Sequence, residues 1–308
     1  MKLKNISLLL LVAALFGLSS CGNDDDLNPQ SVFEDLSNVQ KNEFDNWLEE
    51  NYRKQYNINF MYRFTDKESD LAYNVIPADY DCSVALAILV KHMWLETYVE
   101  ALGLDFMRTY TPRQIQLTGS YKWNANGSQV LGTAEGGLKI MFYGVNELDI
   151  DNPRINVDNP YESHQVIPLD MNYWFFHTMH HEFCHILNQK KEYDPSYQNI
   201  SAATYHATDW INLDDKKVAT EGFVSAYASS EDREDFAEMY STYITNSETG
   251  WQKILDAAGV DGAKILNQKM DMVKEYFKTE WNLDLDELRG ILMRRSAEVP
   301  SLDLRTLK

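Results

Sequence analysis

The sequence predicts an α+β fold: an N-terminal lobe with a small mixed or antiparallel sheet, a mostly helical C-terminal lobe, and a cleft between them. Three observations predict it. Alternating apolar and polar residues, separated by turn residues, are confined to positions 58–143. Runs with helical periodicity flank that region and take over after Asp170. A chain of 308 residues can bury one large core or divide into two lobes, drawn here at 32–190 and 191–308. There is no internal repeat.

The first twenty residues read as a targeting segment. Lys2 and Lys4 precede an apolar run, Leu8–Leu18, too short to span a bilayer. Leu18-Ser19-Ser20-Cys21 follows and resembles the lipobox of bacterial lipoproteins, whose cysteine becomes the lipidated N-terminus. Residues 21–31, with Asp24-Asp25-Asp26, form a polar acidic tether. An acidic run behind such a cysteine resembles the surface-export signal of some diderm bacteria. That resemblance implies a body anchored through Cys21 to the outer membrane and exposed at the cell surface.

The folded body is expected over 32–308. Phe33–Tyr56 reads as an amphipathic helix burying Phe33, Leu36, Phe44, Trp47 and Leu48, and Ile58–Phe64 as a strand. Ser83–Leu102 is an apolar helix stopped by Gly103. Gln114–Trp123, Gln129–Thr133 and Leu138–Tyr143 read as three strands, joined by Asn124-Ala125-Asn126-Gly127 and Glu135-Gly136-Gly137. A loop from Gly144 to Ser163 leads to a helix over Trp174–Gln189, with Asp170 as its N-cap. Lys190–Lys217 is polar and irregular. Helices then follow at Glu231–Thr245, Trp251–Ala257, Ala263–Phe277 and Asp286–Arg295.

The helix over Trp174–Gln189 carries His181-Glu182-Phe183-Cys184-His185. Four residues are a little over one helical turn, so His181 and His185 share a face and their imidazoles converge. Two neutral imidazoles are good ligands for Zn²⁺, and a Glu beside the first can take a proton from water on the metal. Phe176, Met179, Phe183 and Leu187 fall on the opposite face as a core stripe. His177 lies one turn before His181, as a cleft-wall or hydrogen-bonded residue, with a second metal site as the alternative; His180 points away, and Trp174 either lines the cleft or packs in the core.

A hydrolytic zinc site needs three protein ligands and one open position. Asn188 and Lys191 stand where a nearby third histidine would require Gly and His, so the third ligand must come from elsewhere. Glu234 and Glu238 share a helix face: one can bind metal, and the other can accept the outer N–H of a ligating histidine. Glu231 with Asp235 is the rival pair, and His206, Asp209 and Glu221 are weaker rivals.

The order of elements, with His181–His185 and Glu234-Asp235-Phe236-Ala237-Glu238, resembles zincin-type metallopeptidases of the gluzincin class, close to the lethal-factor type. The resemblance implies Glu234 as the third zinc ligand, Glu238 behind it, Glu182 as general base, and Tyr227, seven residues before Glu234, as a donor to the oxyanion. With the lipobox and tether, the chain is similar to the zinc-binding metallopeptidase lipoproteins described as substrate-import-associated zinc metallohydrolases. That implies Zn²⁺ as cofactor, a peptide or protein substrate, and an outer-membrane nutrient importer as partner. Leu138–Tyr143 is the strand expected to pair with an extended substrate. The alternative class is a surface lipoprotein that captures peptide or glycan on a zinc site without turnover. A purely structural zinc site would need a fourth protein ligand at suitable spacing.

The formal net charge is −19, and removing the leader takes away two lysines and no acids. Such acidity argues against nucleic acid and against electrostatic docking on anionic lipid. Past Cys21 only Cys82 and Cys184 remain, so no disulfide framework is expected, and Cys184 reads as a packing residue.

Overall fold

A computed structural model describes residues 40–65, 73–124, 129–130, 132–135 and 138–308. The leader, Cys21, the acidic tether, Phe33 and Leu36 lie outside the described residues, as do Ala125–Gly127. Helix α1 runs through Glu43–Leu48, a π-helical Glu49–Arg53 and Lys54–Tyr56. Asn42 starts it with a capping box closed by Asp45, and Phe44 and Leu48 are buried, as their spacing predicts.

After strand β1 (Asn59–Met61), helix α2 spans Tyr80–Leu102. It is apolar enough to cross a membrane by composition, but most of it is buried in the protein core. Gly103, at φ 87°, lets the chain turn at once into α3 (Leu104–Tyr110).

Five strands follow: β2 (Gln114–Leu117), β3 (Lys122–Trp123), β4 (Gln129–Val130), β5 (Gly132–Glu135) and β6 (Lys139–Phe142). The main sheet has the order β1-β2-β6-β5, parallel through the first three and antiparallel at β5. Strands β3 and β4 pair separately. The expected strand Gln114–Trp123 therefore breaks in two. It breaks at Gly119, where a Cβ would stand 2.1 Å from the Pro77 carbonyl oxygen.

The strand expected to receive substrate, Leu138–Tyr143, is corrected here. Its core β6 is an inner strand bonded to β2 on one side and β5 on the other, so it has no free edge. The outer strand is β5, whose far side carries no strand among the described residues.

The remaining helices are α4 (Asn172–His177, π-helical, continuing through Thr178–Lys190), α5 (Tyr197–Ile200), α6 (Asp215–Ala219), α7 (Asp232–Thr245), α8 (Glu248–Trp281) and α9 (Leu285–Glu298). The two helices expected within 251–277 form one long element broken at Gly259, where φ is 66°. Helix α7 packs on α4 and on the long helices behind it. It is buried from Asp235 to Thr245, apolar and polar residues alike, so it is a central helix rather than an amphipathic cover.

Candidate metal centre

Helix α4 begins where its N-cap predicts: Asp170 Oδ1 accepts from the Asn172 N–H (3.0 Å) and the Asn156 N–H (2.8 Å). Phe176, Met179, Phe183 and Leu187 are fully buried against the core. Trp174 packs there too, 5.0 Å ring to ring from Tyr121, so its core reading holds. That anchoring turns the opposite face, with His181 and His185, toward α7. Glu234 stands in the first turn of α7 and Glu238 one turn later.

Three atoms converge. His181 Nε2 lies 2.9 Å from Glu234 Oε2, His185 Nε2 lies 3.2 Å from the same oxygen, and the two Nε2 atoms are 3.0 Å apart. Tetrahedral zinc with bonds of about 2.0–2.1 Å spaces its ligands roughly 3.3 Å apart, close to these separations. Two imidazole nitrogens facing each other at this range repel unless a cation or proton lies between them. The donor set, two borderline nitrogens and a carboxylate oxygen, suits zinc.

The outer nitrogen of His181 is also engaged. Glu238 Oε1 lies 2.8 Å from His181 Nδ1, close but off the line of an N–H there. The same oxygen is 2.8 Å from His177 Nε2, and Ser225 Oγ donates to Glu238 Oε2 at 2.6 Å. Glu238 is thus held on three sides with little exposure. His177 is the hydrogen-bonded residue that its position one turn before His181 suggested. Ser225 carried no signal in the sequence, because its partner is 13 residues away and no motif joins them.

The electrostatics follow from burial and pairing. Burial pushes Glu234 and Glu238 toward neutrality, but the histidines around them outweigh it and hold both below the usual carboxylate range. Burial lowers the pKa of His181, yet Glu234 and Glu238 together raise it to about 10. One buried and one half-buried carboxylate thus demand positive charge at this place, which a divalent ion satisfies.

Glu182, next to the first histidine, lines a cleft of about 830 Å³ with His185, Glu234 and Tyr227. Tyr227 sits in the turn Tyr227–Ser229 with its ring 5.8 Å from that of His181. Its phenol pKa is raised, first by burial and then by the negative charge of Glu234 nearby.

The rivals go elsewhere. Asp235 turns into the core and pairs with Lys269; Glu231 is exposed beside the cleft; His206 pairs with Glu221 at 2.8 Å. His180 is buried with its Nδ1 2.8 Å from the Tyr98 hydroxyl. Cys184 is fully buried, as a packing residue should be, and its thiol pKa is pushed up chiefly by that burial.

Comparison with known proteins agrees with this geometry. Residues 37–286 match the family described as "Putative zinc-binding metallo-peptidase". The chain belongs to this family. A crystal structure titled as a "putative zinc-binding metallo-peptidase" from Bacteroides caccae ATCC 43185 is similar across 90% of this chain and 100% of its own, with 43% identity and a TM-score of 0.72. No curated protein matches. Family and structural neighbour are both described as zinc-binding metallopeptidases, and the triangle of His181, His185 and Glu234 supplies the donors such a description requires.

Proposed function

We propose that this protein is a zinc-dependent hydrolase of gluzincin type that cleaves peptide bonds. One observation carries the reading: the two Nε2 atoms of His181 and His185 and Oε2 of Glu234, from helices far apart in sequence, meet within 3.2 Å of one another at the wall of an open cleft. Zinc held there supplies Lewis acidity, polarising a carbonyl and acidifying a water molecule.

The chain's own residues do the rest. Glu182 takes the proton from the attacking water and delivers it to the leaving amine. Tyr227 donates its hydroxyl to the carbonyl oxygen as negative charge develops there. Glu238 orients His181 through Nδ1, and His177 and Ser225 hold Glu238. Strand β5, with no strand on its outer side among the described residues, lies against α4 and offers backbone groups to an extended peptide.

The lipobox-like Leu18-Ser19-Ser20-Cys21 and the acidic tether support a lipid anchor at the outer membrane and an outward-facing body. An importer of nutrients at that surface is the partner we propose, on the resemblance alone. The test is direct. The zinc-loaded protein, given a diverse peptide library, should cleave peptides, and a chelator should stop it. Glu182→Gln should keep zinc and lose turnover by about 10²–10⁴-fold. Undiminished cleavage by that variant would refute the general-base role. Cleavage of no peptide at any pH would favour a zinc-containing protein that only captures its ligand.

A further inference from the structure

Resting on the peptidase reading above, we propose that Trp210, beside Tyr227, seats a bulky apolar side chain of the bound peptide, next to the scissile bond. The aromatic contact starts at the metal ligands. The Tyr227 ring is 5.8 Å from the His181 ring, and the Trp210 ring is 4.9 Å from Tyr227 at 59°. Tyr227 lines the cleft, so a peptide laid across the triangle passes this edge. Tyr227 is 38% exposed, so a large ring is left partly in water at the wall of the site, with Trp210 against it. Such exposure costs free energy that a covering apolar group recovers.

The ledge is fixed in place. The His206 N–H donates to the Ser229 carbonyl at 2.6 Å, and His206 Nε2 lies 2.8 Å from Glu221 Oε2. Within the turn, the Trp210 N–H reaches the His206 carbonyl at 3.2 Å and the Asn212 N–H the Asp209 carbonyl at 2.9 Å. His206 and Glu221, rivals for the metal in the sequence, thus fasten this turn to the one that bears Tyr227. A side chain landing on preordered rings loses little entropy of the protein, which favours aromatic and branched aliphatic residues.

The experiment uses the zinc-loaded Glu182→Gln protein and fluorescent pentapeptides that differ only at a central residue: Phe, Leu, Ala or Asn. Phe and Leu peptides should bind about tenfold more tightly than the Ala peptide. In Glu182→Gln with Trp210→Ala the preference should shrink to about twofold, and Trp210→Phe should restore most of it. Zinc content reports that each variant is folded. An unchanged preference in Trp210→Ala, whether or not all peptides weaken together, overturns the proposal. The readout is binding, so a native protein that hydrolyses nothing would sink the peptidase reading and still leave this preference measurable.

Discussion

Asp235 Oδ2 and Lys269 Nζ stand 2.7 Å apart with neither side chain exposed to solvent. The pair lies one residue along α7 from Glu234. Lys269 also donates to the Gly222 carbonyl at 2.7 Å and lies 3.9 Å above the Phe223 ring. A single buried cation therefore joins α8, α7 and the turn that leads to Ser225 and Tyr227. Gly222 itself, at φ +88°, brings that turn against Ile265, where a Cβ would meet the Ile265 side chain at 2.3 Å. Lys269→Met would leave the Asp235 carboxyl buried without a counter-ion. Stability should fall by about 3–5 kcal/mol, read by urea unfolding. A loss below about 1 kcal/mol would mean that Asp235 finds another partner or takes up a proton at little cost.

Glu238→Gln keeps the shape but removes the charge facing His181 and His177. Zinc should bind about 10- to 100-fold more weakly, measured by competition with a chromophoric chelator. Unchanged affinity would show that His181 needs no carboxylate at its outer nitrogen.

Tyr227→Phe retains the ring against His181 and Trp210 and deletes only the hydroxyl. The turnover number should drop about 10²–10³-fold, with KM little changed. Equal losses in kcat and in peptide binding would assign the hydroxyl to substrate binding instead.

Asp45 gives a pH signature away from the metal centre. Its carboxylate accepts from Arg63 (2.8 and 2.6 Å), the Asn42 N–H (2.8 Å) and the Tyr62 hydroxyl (3.0 Å). Burial alone would raise its pKa, but these donors, Arg63 foremost, hold it below 3.8. A depressed carboxyl stabilises the fold above its unfolded value, and the contribution is lost as pH falls through its folded one. Asp45→Asn should cost about 1 kcal/mol at neutral pH. The gap to the parent should close as the pH drops below 3.8, in urea titrations at several pH values. A gap that stays constant would mean that the charge itself contributes nothing.

Much of the site was legible because its parts are local. Helical spacing placed His181 and His185 on one face and Phe183 and Leu187 on the other. It also paired Glu234 with Glu238, but it paired Glu231 with Asp235 equally well. Periodicity could not choose between them, and only the resemblance to a known ligand helix favoured Glu234. In the structure α7 is buried nearly all round, and Asp235 faces Lys269, 34 positions further on. The sheet was less legible. Alternation reveals strands but not their neighbours, so it leaves β6 open to a substrate, whereas in the structure β5 pairs along it.

By itself the sequence determined which segments coil, where α4 starts, which face of it enters the core, and that two imidazoles converge with a glutamate beside them. Tertiary structure alone decided that Glu234 meets those rings while Asp235 turns inward, that Ser225 and His177 brace Glu238, and that Trp210 packs against Tyr227. The reason is physical. Helix faces follow from rotation per residue, which neighbours within a few positions dictate. Contacts between α4, α7 and the 206–229 turns depend on how whole elements pack, and no local spacing encodes that.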